Sequence, residues 1–370
     1  MNSMKKYLLM ALAAMLMAAP LTARADQGEG FDAGSMIIGH VTDAHSWHMF
    51  DYRTSDGKEH AVAIPLPVIL INDGKLDVFM SSRFHHGHAD YKGYRLTGGG
   101  SQREVIVCVD EAGNVLDKQP IDLSLTKTSA AIVIAVILLI VIVFAAKRAY
   151  LKRPNQAPHG VLQGLVEMLV VFVRDSIARP MIGEAHYRRY LPYLLTLFFF
   201  IFFCNILGLI PFFPAGANIT GNLAVTGILA VITFLITNIS GNRHYWTDIF
   251  NTPGVPAWLK IFPLMPLVEV IGVFTKPIVL MIRLFANMTA GHIMILSFMA
   301  LIFILSNIGG AAIGGAAIGG ATSVVSVFLS VFISLLECLV VYIQAFVFTM
   351  LTALYIGMAV HEPEHHASEA

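Results

Sequence analysis

Apolar residues in this chain gather in long blocks. Leu191 to Ser240 holds no charged residue, and neither does Leu284 to Leu336. A hydrocarbon core about 30 Å thick takes about 20 apolar helical residues to cross, so such blocks predict membrane segments. Five emerge: Ala130 to Ala146, Leu191 to Phe213, Leu223 to Ser240, Ile261 to Ser306 and Val324 to Met358. The last two far exceed one upright crossing; the first of them, wholly helical, would be about 65 Å long. A steep tilt, a kink or a partly in-plane path must absorb the excess, and Pro277 offers a kink by deleting a helical hydrogen bond. Val161 to Ile182 alternates apolar residues with Glu167, Arg174, Asp175 and Arg179, the pattern of an interfacial amphipathic helix. Between the long segments runs a small-residue repeat, Ile308-Gly309-Gly310-Ala311-Ala312, then Ile313 to Ala317, then Ile318 to Ala321. Close helix packing is one reading of it. Poor helix propensity of Gly pairs favours the other, an external turn.

Before the first span the pattern changes. Val105 to Val109 is β-rich, Glu111-Ala112-Gly113-Asn114 signals a turn and Val115 resumes the run, which predicts a hairpin. Pro65 and Pro67 make Ala61 to Ile71 an edge strand or an extended stretch. The expected fold is therefore an all-α polytopic membrane protein of about five membrane-embedded segments, with a long helical hairpin and a small, mainly β N-terminal domain over residues 26–127.

Of 370 residues, 56% are hydrophobic and 13% charged. That is far from a soluble domain, where about a quarter are charged. The formal charge of zero divides unevenly: +3 through Ala25, −6 from Asp26 to Lys127 and +3 beyond. Lys5 and Lys6, an apolar run to about Ala19 and Ala23-Arg24-Ala25 describe a secretory signal peptide over 1–25. An uncleaved anchor is the alternative, and either sends the next segment across the membrane. Lys147, Arg148, Lys152 and Arg153 follow the first span directly, so that end is cytoplasmic. The resulting arrangement is multi-pass in a bacterial inner membrane, N-terminal domain outside and the 361–370 tail in the cytoplasm. Seven of 14 histidines lie in the outer domain, densest at His85-His86-Gly87-His88. Solvated surface or pairing with the abundant carboxylates accounts for them, and no metal is assigned. Cys108, Cys204 and Cys338 form no disulfide framework.

Ionisable groups inside membrane spans are costly and mark function. Glu269, Lys276 and Arg283 follow one another at seven-residue intervals, and Asn287 lies four after Arg283, close to one helical face. Glu337 and Gln344 are also seven apart, with Ser330 and Ser334 on the same side. Arg283 stays charged in a protein and has no other charge between Lys276 and Glu337. Spacing leaves two readings open: a static ion pair with Glu337, or a carboxylate on another subunit that comes and goes. His292, roughly 13 Å beyond Arg283 along a helix, titrates near neutrality and suits a proton relay with Glu337. As a lone membrane histidine it also suits a hydrogen-bonded core position. Glu269 also reads as an interfacial charge.

Lys276-Pro277, Arg283-Leu284-Phe285-Ala286-Asn287-Met288 and Ala290-Gly291-His292 together resemble the signature of subunit a of F-type ATP synthase. Gln344-Ala345-Phe346-Val347-Phe348-Thr349-Met350-Leu351-Thr352 resembles its last-helix motif. Asn205 to Pro211 and Pro266-Leu267-Val268-Glu269 fit the earlier helices, so the resemblance covers roughly Ala130 to Met358. It implies a non-catalytic stator subunit beside a rotating ring of c subunits, with b-type stalk subunits, the whole synthase, the lipid bilayer and protons as partners. No cofactor and no nucleic acid are implied. Arg283 matches the arginine facing the ring carboxylate; Asn287, His292, Glu337 and Gln344 would line the outer half-channel and Glu269 the inner exit. His292 mildly favours protons over sodium.

Two departures stand out. Many bacterial members carry an acid at the His292 position and a histidine at the Glu337 position; here the pair is exchanged, as in the mitochondrial pattern. The signal peptide and the 26–127 domain also exceed the usual short outer tail. Competing functions are a stand-alone ion-coupled transporter, which favours related halves with broken helices that this sequence lacks, and a membrane anchor for a metal-handling domain.

Overall fold

The computed structural model describes residues 33–53, 59–87, 89–99, 102–110, 112–116, 119–152, 158, 160–210, 216–250, 264–308 and 313–361. The signal peptide expected over residues 1–25 and nearly all of the last ten residues lie outside them. Two compact units result: Gly34–Leu296 with Ser330 onward, and a smaller one that takes in Ser297–Leu329 at the end of the helical hairpin.

The larger unit begins with helix α1 (Ala33–Val41), then β1 (Ser46–Arg53), β2 (Glu59–Pro65), β3 (Pro67–Asn72) and β4 (Lys75–Met80). After a 3-10 turn at Ser81–Gly87 come β5 (Tyr94–Gly99), β6 (Gln102–Cys108) and β7 (Ile121–Asp122). Three small antiparallel sheets form, β1-β2, β4-β3-β7 and β5-β6. The tight β3–β4 turn has φ 51° at Asp73 and 75° at Gly74, the left-handed pair that Asp-Gly supplies at least cost. Val68 and Leu70 point inward from β3 and pack with Phe84, Tyr94, Ile106 and Cys108.

Two expectations change here. The hairpin is β5–β6; Val115 contributes only an isolated bridge to Val109, because Asp110 takes the amides of Ala112 and Asn114 into a side-chain-closed turn. The segment 61–71 also contains a central strand. β3 is paired on both sides, with Pro67 as its first residue, where the missing N–H costs no ladder bond, and its carbonyl accepts from Leu125 N at 3.0 Å.

Helices follow: α2 (Lys127–Lys152), α3 (Val161–Phe172), a π-helical stretch Val173–Ala178 running into α4 (Arg179–Ile182), then α5 (Tyr187–Leu209) and α6 (Leu223–Ile239). Short α7 (Arg243–Phe250) precedes the long pair α8 (Leu264–Ile308) and α9 (Ile313–Val360). Three described helices are long and apolar enough to cross a membrane: α2, α5 and the Val324–Val360 part of α9; α6 is a shorter apolar helix. Val133, Ile137, Ile140, Val141 and Phe144 of α2 are exposed, the lipid-facing side of a membrane helix.

Ends are set by local chemistry. Thr126 and Ser129 exchange side-chain hydrogen bonds at the head of α2, a variant of the capping box. Helix α5 stops at Leu209 because Ile210 is extended, as the residue before Pro211 tends to be. Asn222 caps α6 by accepting from Ala224 N at 3.0 Å. The late carbonyls of α9 at Ala359 and Val360 are met by Asn242, answering the acceptors a helix end leaves open.

The small-residue repeat is corrected in part. Ile313 to Ala321 is helical, the start of α9, while residues 309–312 fall outside the described ones. Gly propensities measured in water lose force where the backbone must satisfy its own polar groups.

The membrane core joins α3, the π-helical stretch, α5, α8 and α9 through Leu169, Val173, Ile177, Leu194, Phe198, Leu284 and Phe348. Pro277 lies inside continuous α8. The segment 161–182 is built into this core along one face: Val173, Ile177 and Ala178 are fully buried.

A candidate proton path on the long helices

All six residues singled out from the sequence lie in the larger unit. On α8, Leu280, Leu284 and Met288 recur every fourth residue and are buried. Arg283 and Asn287 take the adjacent stripe and are exposed, among exposed Ile278, Val279, Ile282 and Met294. An arginine on an apolar face is costly in lipid, so this stripe suits a partner bearing a negative group. On α9 the inward stripe carries Glu337 and Gln344, each 4% exposed, with Val341, Ala345 and Phe348.

The static pair between Arg283 and Glu337 does not form: both carboxylate oxygens of Glu337 are buried without a hydrogen-bond partner among the described residues. Its carboxylate instead fills the space left by a missing side chain. A Cβ at Gly291 would stand 2.6 Å from Oε1 and 2.9 Å from Cδ. The next residue, His292, rests against α5: a Cβ at Gly208 would lie 3.5 Å from its Nε2 and 3.5 Å from the Ala217 carbonyl oxygen.

Other buried polar atoms have no partner among the described residues: Asn205 Nδ2, Asn218 Nδ2, Thr289 Oγ1, His292 Nε2 and Ser330 Oγ. Asn205 Oδ1 accepts from Thr220 at 2.5 Å. Each unsatisfied group costs about 1–3 kcal/mol, and native proteins meet such groups with ordered water. Glu337, His292 and these groups are thus places that ordered water would satisfy.

A second cluster lies the other way along the helices. Thr237, Thr349 and Thr352 hydroxyls are buried and unpartnered among the described residues. Lys276 Nζ stands 5.3 Å from the centre of the Tyr355 ring, and Thr237, Asn238, Tyr245, Lys276 and Tyr355 line one small pocket. Along α9, Glu337 and Thr352 are about 22 Å apart at helical rise. Arg283 acts electrostatically on Tyr355, and Glu269 acts on Lys276.

The structure sets Glu337 against Gly291 and His292 against Gly208, with no hydrogen bond between the two among the described residues. It puts Arg283 and Asn287 on the outer stripe, buries Gln344 on α9 and leaves Glu269 within reach of Lys276. Tyr355, Thr237, Thr349, Thr352, Thr289 and Asn218 were not singled out. Hydroxyls and amides in apolar helices are common enough that only their convergence marks them.

Outside the membrane, charges are paired. His45 N donates to Glu104 Oε2 at 2.7 Å, and His45 Nε2 meets Asp122 Oδ2 at 3.0 Å. Burial lowers the basicity of His45, but the bonds and charges of Asp122 and Glu104 outweigh it and raise its pKa to about 9. Burial alone would raise Asp122; its bonds from His45 and Ser124 hold it at about 2. Glu104, pushed up by burial, is drawn below the usual carboxylate range by the His45 hydrogen bonds. Among the described residues no three His, Cys, Asp or Glu side chains gather as metal ligands would.

Apolar helices long enough to span a membrane, together with buried polar groups and an exposed arginine, mark a class: polytopic membrane proteins that move ions. Comparison with known proteins gives the family. The ATP synthase A chain model matches residues 129–357, and a family described as Domain of unknown function (DUF8433) matches 36–128. The chain is 43% identical to ATP synthase subunit a of Chloroherpeton thalassium over 250 residues, 66% of this chain and 69% of the relative. It is 43% identical to ATP synthase subunit a of Myxococcus xanthus, over 66% of this chain and 76% of that protein. ATP synthase subunit a 2 of Chlorobaculum tepidum is also 43% identical, with coverage of 68% and 67%. The chain belongs to the ATP synthase A chain family. It is a non-catalytic component of the proton-conducting membrane sector, which works with a ring of c subunits. Neither the stand-alone transporter nor the metal-handling anchor is supported.

Proposed function

We propose that Arg283 faces the ionisable carboxylate of the ring, and that the two polar clusters are half-channels opening on opposite sides. The observation that carries this is the exposed Arg283 stripe, together with a Glu337 that takes no partner among the described residues. A nearby cation lowers a carboxylic acid's pKa, so Arg283 keeps the ring carboxylate ionised as it passes and bars direct flow between the clusters. Protons reach the ring through His292, Glu337 and their wettable neighbours on the side of the N-terminal domain. They leave on the cytoplasmic side past Lys276, Tyr355 and Glu269. Transport then requires rotation.

Basic residues after the first span support an N-terminal domain outside and a C-terminus in the cytoplasm. Asn287, next to Arg283 on the stripe, and Gln344, within α9, are assigned to the polar surroundings of the arginine. The segment 161–182 runs along the cytoplasmic interface, and b-type stalk subunits hold the chain still against the ring. The test is Arg283→Ala in membrane vesicles: ATP-driven proton pumping falls to background while the ring and catalytic head still co-purify. Retained pumping would sink the mechanism.

A further inference from the structure

The N-terminal domain touches the membrane part at one seam, and that seam lies beside His292. Trp47 and Leu66 of the domain are buried with Ala130, Ala131 and Ala135 of α2, with Cys204 of α5, and with Ala217 and Ile219. The Ala217 carbonyl and Gly208 form the wall on which His292 Nε2 rests. Ala217 thus belongs both to the cluster at the base of the domain and to the surroundings of His292.

Charge is concentrated at this seam and fixed by hydrogen bonds. Lys127, 8% exposed at the head of α2, donates from Nζ to the His40 carbonyl at 3.0 Å. Its backbone N donates to the Ala44 carbonyl at 2.8 Å, and Asp43 accepts from Thr128 N at 2.9 Å. His40, on α1, and Lys127 are both within electrostatic reach of His292. Asp43 and Glu104 act in turn on Lys127. Glu337 stands on the far side, against Gly291, and His45 is held by Glu104 and Asp122.

We propose that the N-terminal domain forms the mouth of the outer half-channel, with His40 and Lys127 as positioning residues whose charge governs proton access to His292. This rests on the reading of the His292 cluster as the outer half-channel. The Lys127 cation at the mouth opposes the arrival of a further positive charge. Protonation of His40 as the outside acidifies strengthens that opposition, so the domain limits loading when protons are abundant. Removing either cation makes the path accept protons at a lower outside concentration.

The test uses the complete synthase in proteoliposomes, with ATP synthesis driven by a fixed potential and the pH varied on the side of the N-terminal domain. His40→Gln, which keeps the backbone carbonyl for Lys127, and Lys127→Gln should each move the pH midpoint of synthesis upward by about half a unit. Lys127→Arg should restore the original midpoint, which separates charge from packing. Lys75→Gln, an exposed charge of the same domain, should leave rate and midpoint unchanged. His292→Ala serves as the reference for the underlying reading. If His292→Ala changes the pH profile while both seam variants leave it unmoved, the proposal is overturned and the half-channel stands. If His292→Ala also leaves the profile unmoved, the half-channel reading itself fails.

Discussion

The N-terminal domain and the long hairpin bury polar groups in opposite ways. In the domain, His45 is surrounded by Glu104 and Asp122, and its side chain is 5% exposed. In the hairpin, Glu337 is as deeply buried and takes no partner from the described residues. Paired charges hold strands together, since breaking a buried pair is strongly destabilising. In the proposed mechanism the unpaired Glu337 is kept for a proton that comes and goes.

Filling the space of Glu337 should break this contrast most severely. A side chain at Gly291 meets Oε1 at 2.6 Å at its first carbon, so Gly291→Val should cut proton transport at least tenfold, assuming that one carboxylate placement is worth about 1.4 kcal/mol or more of barrier. Passive proton flux through vesicles stripped of the catalytic head reads this directly, and flux within twofold of the parent would show that the carboxylate position is unimportant.

In the domain the expected loss is of stability. His45→Ala leaves Glu104 and Asp122 facing each other without their cation and should cost about 3 kcal/mol. The pH dependence follows from the same contacts. The ordinary value of His45 is 6.5 and its folded value about 9, so its contribution is complete below about 6.5 and lost as pH rises through about 9. Asp122 is lowered from 3.8 to about 2, so its contribution is present above about 3.8 and lost as pH falls through about 2. Protease resistance of the domain within the complex should therefore plateau between about pH 4 and 6.5. A plateau reaching beyond pH 9 would remove His45 from the account. The smallest effect belongs to the exposed pair of Lys92 and Asp77 at 3.1 Å: Lys92→Ala should leave that resistance unchanged within measurement error.

These regions also differ in how far their sequence could be read. Membrane helices announce themselves, because lipid requires about 20 apolar residues in a row, and Arg283 stood out against that background. Glu337 was equally visible, but its lack of a partner was not: spacing alone could not separate an ion pair with Arg283 from a free carboxylate. That depended on Gly291 leaving room for the carboxylate, a contact between helices. The second cluster was hidden because Tyr355 is an ordinary helix residue until Lys276 and Thr237 meet it, and Thr349 and Thr352 give no sign in sequence that their hydroxyls are buried without a partner among the described residues. In the domain, two prolines pointed to an edge where β3 is in fact central, since pairing partners come from as far away as Ile121. His45 gave no signal apart from six other histidines, because both of its carboxylates are distant in sequence.

The central claim is that two polar clusters open on opposite sides of the membrane and do not meet across Arg283. Single cysteines at Thr289 and Ser330 for one cluster, and at Thr349 and Thr352 for the other, test it directly once Cys108, Cys204 and Cys338 are replaced by serine. A small membrane-impermeant thiol reagent should label the first pair only from the side of the N-terminal domain and the second pair only from the cytoplasmic side. Labelling of either pair from both sides, with Arg283 in place, would contradict the account.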